Sequence, residues 1–357
     1  MRGNLIMKRW TWIAAGALAL CLGCGDIDVP NLNNLPFELL KDRPTRTLII
    51  NASTGLVIGS RTYLAQPNGY VAMLGILGRE SYNFDRADPR FISEMLEAPA
   101  LDPGSPAFGG NFWNQPYSNI RNANTLITAL DAIETDPDKG VTDEERAAIR
   151  GFARTIQALD LLTIANTRYN ATNCGPVDVN RAPTDPLAPI VGKDAVLAQV
   201  SQLLDDAQAD LVTAAGGGDR FPFQIGSGYA GFNKPSSFLK VNRALQVRAR
   251  VYQQQWALAG TALAGSFVDD TKPMSLGAYH AYANGSGDTS NGLISPNLFV
   301  HPKVLADAEP GDERIFGARS KITTLSETTT VRNISSTCCS RSTPPARRRC
   351  RSSGTRS

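Results

Sequence analysis

This 357-residue chain contains few histidines and few cysteines, so few side chains are available for catalysis or metal binding. The two histidines, His280 and His301, each lie in loop-like sequence, where a structural or surface role is commoner than catalysis. One CxxC pair occurs, at Cys21 and Cys24 in an N-terminal apolar stretch, so a cysteine metal site is not expected. Motifs of the GxSxG, HExxH and phosphate-loop types are missing. We therefore expect no enzyme, no bound metal and no cofactor.

Excess positive charge is also missing from the body of the chain, although the whole sequence has a formal charge of +3. Of the 36 Lys and Arg residues, three lie in residues 1–23 and seven in residues 331–357, so the other 26 face 33 acidic residues, a net charge of −7. Nucleic-acid binding requires a basic surface. The sequence therefore predicts a partner other than nucleic acid.

The N-terminus has the organisation of an export signal. Arg2, Lys8 and Arg9 precede an apolar run over residues 10–22, which is too short for the roughly 20 residues of a membrane-spanning helix. The run ends in Gly23-Cys24, which resembles the lipobox of bacterial lipoproteins, although Cys21 stands where that motif usually has leucine. The resemblance implies cleavage after residue 23 and acylation of Cys24 by palmitate-type chains. Gly25 is not the aspartate that marks inner-membrane retention, which favours the outer membrane.

The mature part reads as helices separated by irregular loops. Apolar residues at helical spacing predict helices over residues 48–58, 70–83, 113–133, 142–166, 194–211, 236–256 and 257–267. Thr142 and Glu145 form a capping-box pattern at the start of one of them. Residues 85–110 and 216–231 read as loops rich in Gly or Pro. Few β-rich runs occur, so helices packed in pairs are the expected architecture.

Several of these segments have motifs similar to those of the RagB/SusD family of outer-membrane nutrient-uptake lipoproteins. Trp113, Tyr117, Ile120 and Asn124 follow the family's W-x-x-x-Y-x-x-I-x-x-x-N spacing. Residues 149–162 resemble its A-R-F-L-R-A helix, with a departure at positions 155–156; residues 205–211 resemble D-L-x-x-A, and residues 242–252 resemble A-x-x-A-L-x-A-R-V-Y. Residues 26–31 resemble the family's start after the lipid cysteine. Together the motifs cover residues 24–267.

The resemblance implies a mainly α fold, with tetratricopeptide-like helix pairs forming an α-superhelix wrapped by long loops and, here, truncated at its C-terminal end. It also implies a lipid-anchored, surface-exposed outer-membrane protein. Such a protein passes an oligosaccharide or peptide ligand to a TonB-dependent, SusC-like transporter. The alternative from a different class is a helical-repeat scaffold lipoprotein that binds envelope proteins, and a lipid-anchored hydrolase is a distant third.

Ligand-binding residues are expected on loops rather than in the motif helices, because loops positioned by a rigid scaffold commonly bind ligands. Trp113 and Tyr117 are expected to pack in the core. Arg150, Arg154 and Arg250 are expected to form structural ion pairs or to cap helix ends. Residues 82–90 interleave aromatic side chains, which stack on sugar C–H faces, with groups that bond hydroxyls. The predicted ligand-binding residues are Tyr82, Asn83, Phe84, Arg86, Asp88, Arg90, Phe112 and Asn114.

The C-terminal residues differ in composition from the rest. Residues 331–357 contain seven Arg and three of the six Cys but no acidic or aromatic residue, so they are too poor in apolar groups to form a packed core. The predicted organisation is a signal peptide over residues 1–23, a binding domain over 24–325 and a disordered tail over 326–357. We attribute the tail to a frameshift near Leu325; a genuine basic tail that binds an anionic surface is the competing interpretation.

Overall fold

The computed structural model describes residues 37–97, 108, 110–136, 138–181, 184–273, 275–285 and 288–312. Within these ranges the regular structure consists of ten α-helices, two 3₁₀ helices (Ser227–Tyr229 and Gly292–Ile294) and one two-stranded sheet. The predicted signal peptide, Cys24 and the Arg-rich tail lie outside these ranges. In chain order the elements are α1 (Phe37–Asp42), α2 (Arg46–Thr62), α3 (Tyr70–Leu77), β1 (Ser81–Asn83), α4 (Arg90–Ser93), α5 (Asn111–Ala132), α6 (Asp143–Thr167), α7 (Lys193–Gly216), α8 (Pro235–Tyr252), α9 (Trp256–Ala264), β2 (Leu298–Val300) and α10 (Pro302–Ala306). The predicted mainly α fold is confirmed.

The four long helices α5 to α8 stack as successive antiparallel neighbours. Gln157 on α6 bonds to Asn124 on α5, and Arg154 near the middle of α6 pairs with Asp210 towards the end of α7 at 2.7 Å. The helices α6 and α7 approach closely at Gly151, where a Cβ atom would lie 2.8 Å from the Leu211 side chain. Consecutive helices thus pair as the sequence predicts, and their facing apolar residues form the core.

The N-terminal end of α6 is fixed by local hydrogen bonds and by one ion pair with a residue distant in sequence. Thr142 accepts a hydrogen bond from the Glu145 backbone, and Glu145 accepts one from the Thr142 backbone, which completes the predicted capping box. The Glu145 carboxylate also receives two hydrogen bonds from Arg46 at 2.6 and 2.7 Å. Because Arg46 is the first residue of α2, this ion pair attaches the start of α2 to the start of α6.

A buried polar cluster joins α2, α5 and α6 deeper in the core. Asp160 is fully buried and accepts hydrogen bonds from Asn119 at 2.7 Å and from the Tyr63 hydroxyl at 3.0 Å. The Tyr63 hydroxyl also lies 3.2 Å from the Thr163 hydroxyl. Burial, opposed by the bonds from Asn119 and Tyr63, raises the pKa of Asp160 to about 7.

Several predicted boundaries of helices and loops are wrong. The helix predicted over residues 70–83 ends at Leu77, because the chain turns at Gly78 and at Arg79, whose φ is 60°, before forming a strand. The helix predicted to reach Trp256 ends at Tyr252, and Trp256 instead begins α9. The loop predicted over residues 85–110 contains the short helix α4. Among the described helices, none is long and apolar enough to cross a membrane.

Candidate ligand-binding surface

The first predicted ligand-binding residues lie on the two-stranded sheet. Strand β1 pairs antiparallel with β2, and Tyr82 is opposite Phe299 in the register. Two further backbone bonds extend the ladder: the Phe84 amide donates to Asn297 and the His301 amide donates to Glu80, at 2.9 and 2.8 Å. Opposite residues, and residues two apart along a strand, share one side of a sheet. Tyr82, Phe84, Phe299 and His301 therefore lie on one side, which we call the aromatic face.

The rings of the aromatic face contact one another in a continuous row. The Tyr82 ring centroid lies 4.7 Å from that of His301 and 5.5 Å from that of Phe84, and the Phe84 and Phe299 centroids are 5.8 Å apart. Phe299 is buried, whereas the other three side chains are partly exposed. The buried phenylalanine thus supports a partly exposed ring surface.

One imidazole nitrogen of His301 accepts a hydrogen bond from the protein backbone. His301 Nδ1 accepts a hydrogen bond from the Lys303 backbone N–H at 3.0 Å, at the start of α10. A neutral imidazole that accepts at Nδ1 has its proton on Nε2. His301 therefore combines a stacked ring with a donor that remains for a ligand.

Asn83 lies on the opposite side of the sheet from the aromatic face. It is 2% exposed, and its Oδ1 accepts a hydrogen bond from the Asp85 backbone at 3.0 Å. Its Nδ2 has no hydrogen-bond partner among the described residues. Because its side chain is buried, Asn83 is not included in the surface that we propose below.

The charged residues after β1 differ in solvent exposure and in ion pairing. Arg86 is exposed, whereas Asp88 and Arg90 form a two-point ion pair with both hydrogen bonds at 2.7 Å. The hydrogen bond from Arg90 lowers the pKa of Asp88, and the Arg90 guanidinium lies over the Phe108 ring at 5.4 Å. Arg86 can therefore reach a ligand directly, while Asp88 and Arg90 stabilise the segment that bears it.

The two remaining predicted residues lie in the first turn of α5. Phe112 is buried in a small apolar cluster with Phe108, and its ring meets that of Tyr70 edge-on at 6.1 Å. Asn114 is exposed. Phe112 is thus a core residue that cannot contact a ligand at the surface, and Asn114 remains a candidate for ligand contact.

The motif aromatics contact the body of the protein but are only partly buried, so the prediction that they lie in the core is not confirmed. Trp113 and Tyr117 meet edge-on at 4.9 Å, and the Arg168 guanidinium covers the Trp113 ring at 4.5 Å. The Tyr117 hydroxyl donates to the Pro176 carbonyl at 3.1 Å. Both rings are partly buried, and they attach the loop after α6 to α5.

Sequence reasoning missed Phe299 and His301, the β2 side of the aromatic face. The available signal was the run Leu298-Phe299-Val300 between Pro296 and Pro302, which is typical of a short strand bounded by turn residues. Nothing local indicated which segment it would pair with. Within the described ranges, no group of three or more His, Cys, Asp or Glu side chains could hold a metal ion.

No protein-family model matches the chain, and no curated protein matches it significantly. Among solved structures, a SusD-like carbohydrate binding protein from Bacteroides fragilis is 19% identical, with a TM-score of 0.42 over 60% of this chain and 39% of that one. A SusD/RagB family protein from Bacteroides thetaiotaomicron is 17% identical, with a TM-score of 0.43 over 62% and 43%. The surface glycan-binding protein A from Bacteroides uniformis is 17% identical, with a TM-score of 0.41 over 60% and 44%.

This chain spans less than half the length of each of these structures. Two of these three solved proteins are described as SusD-like or SusD/RagB family proteins, and the third is described as a surface glycan-binding protein.

Proposed function

We propose that this protein is a non-catalytic outer-membrane lipoprotein that captures an oligomeric glycan and delivers it to a TonB-dependent, SusC-like transporter. The aromatic face is the observation on which the glycan assignment rests. The motifs of the helices and the lipobox at Cys24 support the transport role, since both resemble those of RagB/SusD lipoproteins. The helices α5 to α8 act as the scaffold that holds the sheet and its loops.

The chemistry of the aromatic face suits a sugar. Axial C–H groups of a pyranose form an apolar patch that stacks on a ring such as Tyr82, and the neighbouring hydroxyls need hydrogen-bond partners. His301 Nε2 supplies a donor beside the Tyr82 ring, and the exposed Arg86 follows Phe84 by two residues in the sequence. The same face could take the aromatic side chains of a peptide, so peptides belong in the binding test as a second ligand class.

The glycan proposal is tested with the purified full chain on an array of plant, algal and host glycans, with peptides as a parallel set. Removing both rings in the Tyr82→Ala, Phe84→Ala double variant should weaken binding to the best ligand by about thirtyfold, since each of the two aromatic contacts contributes on the order of 1 kcal/mol. The matched control is Trp256→Ala, because Trp256 is 65% exposed on α9, a different element. Unchanged affinity of the double variant would show that the glycan binds elsewhere on the protein. Turnover of the glycan by the purified protein would contradict a role limited to binding.

The anchoring and partner proposals need separate experiments. Cys24→Ser should move the protein from the membrane to the soluble fraction and abolish labelling by radioactive palmitate. A mild-detergent pull-down of the wild-type protein from native membranes should recover a large β-barrel transporter. Continued palmitate labelling of Cys24→Ser would place the anchor at another residue.

The scaffold alternative makes a different prediction about surfaces. A scaffold protein would present a concave aliphatic surface without loop aromatics, whereas partly exposed rings at Tyr82, Phe84 and His301 are present here. We therefore favour ligand capture. A pull-down that recovers periplasmic or envelope proteins but no transporter would reverse that preference.

A further inference from the structure

A cavity of about 190 Å³ lies apart from the aromatic face, between α6, α8 and the loop of residues 265–280. Its walls are largely apolar, with Ile156 from α6, Phe238 and Val241 from α8, and Phe267 from the loop. An engineered protein cavity of roughly 150 Å³ binds benzene. This cavity therefore has room for one six-membered ring with a small substituent.

The loop that closes the cavity is held in place yet leaves an entrance. The Tyr279 backbone N–H donates to the Gly228 carbonyl at 2.8 Å, and the Tyr279 hydroxyl donates to the Ser275 carbonyl at 2.6 Å. Tyr279 and His280 line the cavity and are also exposed at the surface. A small molecule can thus enter beside these two residues without displacing a core helix.

Two polar groups at the cavity have no hydrogen-bond partner within the described part of the chain, namely the Tyr229 hydroxyl and the His280 imidazole. By contrast, Thr155 and Tyr279 use their hydroxyls in hydrogen bonds with the backbone. Tyr229 is 7% exposed, but its hydroxyl oxygen is not among the fully buried polar atoms that lack a partner, so it remains accessible from the cavity. A ligand with one hydrogen-bonding group can bond to this hydroxyl in place of solvent.

The electrostatics of the cavity favour a neutral ligand. Burial raises the pKa of Tyr229 to about 12, so its hydroxyl stays protonated. Partial desolvation, with a smaller contribution from the nearby Arg61 charge, lowers the pKa of the surface-exposed His280, which disfavours its charged form. The Arg61 charge is itself paired with Asp288. A charged ligand would therefore lose its hydration without gaining an opposite charge.

We propose that this cavity is a second binding site, which takes a small neutral molecule with one apolar ring and one hydroxyl or carbonyl group. The ring fills the space between α6 and α8, and the polar group bonds to the Tyr229 hydroxyl. Phenols are the simplest members of this class. The site does not depend on the aromatic face and does not require glycan binding.

The test uses the full chain in phospholipid nanodiscs and measures binding of p-cresol, toluene and benzoate by saturation-transfer NMR. The wild-type protein should bind p-cresol and toluene saturably and benzoate more weakly. Filling the cavity with Ala244→Leu should reduce affinity for both neutral ligands at least tenfold, while the same change at the exposed Ala257 on α9 should have no effect. This control also corrects for partition of the ligands into lipid.

Removing one hydroxyl gives a sharper test than filling the cavity. Tyr229→Phe should weaken p-cresol binding about three- to tenfold, the effect of one hydrogen bond, and leave toluene binding unchanged. If Ala244→Leu shifts the thermal unfolding transition, Ala278→Leu fills the same cavity from the loop side. The proposal is overturned if the wild-type protein binds neither neutral ligand saturably, if a folded filled variant binds both normally, or if Tyr229→Phe weakens both ligands equally.

Discussion

The helical body and the two-stranded sheet are stabilised in different ways. Helices α5 to α8 are 18 to 25 residues long and contact their neighbours in sequence through apolar clusters and paired polar side chains. Strands β1 and β2 have three residues each and are held by one short ladder and a row of rings. The difference places stability in the helices and leaves the sheet and its loops free to serve binding.

The largest expected contrast between the two regions comes from phenylalanine truncations. Phe152 is fully buried on α6, and its ring lies 5.0 to 5.9 Å from those of Phe221, Phe223 and Phe238. Phe152→Ala should lower the free energy of unfolding by about 3–5 kcal/mol. Phe84→Ala, in the partly exposed aromatic face, should cost about 1 kcal/mol. Urea unfolding measures the loss of unfolding free energy in both variants. Equal losses would contradict the proposed difference between the helical body and the sheet.

The buried carboxyl of Asp160 should make the helical body sensitive to pH. Because burial raises its pKa from 3.8 to about 7, the folded state keeps a proton that the unfolded state releases between these values. This stabilisation is complete below pH 3.8, falls as pH rises and is lost above pH 7, a difference of up to roughly 4 kcal/mol.

Asp160→Asn removes this titration while keeping the shape of the side chain. From pH 4 to pH 7.5 the wild-type protein should therefore lose stability relative to Asp160→Asn. Urea unfolding of both proteins across this range measures the difference, in which the titrations of other groups cancel. Parallel pH profiles would show that Asp160 is already ionised in the folded protein.

A smaller loss of stability is expected where the start of α2 is joined to the start of α6. Glu145→Ala removes the ion pair with Arg46 and half of the capping box, and should cost about 2–3 kcal/mol. Glu145→Gln keeps the cap but loses the charge, so it should cost less. Thermal unfolding of the two variants separates these contributions. A similar loss in both would assign the whole effect to the ion pair.

The smallest effect is expected in the sheet. His301→Ala removes the ring stacked on Tyr82 and the acceptor for the Lys303 N–H, and should change global stability by about 1 kcal/mol or less. Hydrogen exchange should accelerate at the amides of β1, β2 and α10 and stay unchanged in α6. Faster exchange in α6 would mean that the sheet and the helical body unfold together.

The sequence by itself determined the helical class and much of its detail, because helix signals act over a few residues. Apolar spacing predicted α5 to α9 with boundary errors of a few residues. The Thr142–Glu145 capping box formed as expected, since its groups are three positions apart. Arg150, Arg154 and Arg250 form the predicted structural ion pairs, with Asp131, Asp210 and Asp205 respectively. Their helical positions predicted the role, although not the partner.

Only the tertiary structure decided the aromatic face and the cavity. Tyr82 and Phe84 were visible as candidate ligand residues, but their neighbours Phe299 and His301 come from a strand far along the chain. A three-residue strand has too little pattern to specify its partner, so the pairing depends on how the helices place both segments. The cavity likewise needs α6, α8 and the 265–280 loop to meet. Long-range juxtaposition of this kind depends on packing, which local sequence patterns do not encode.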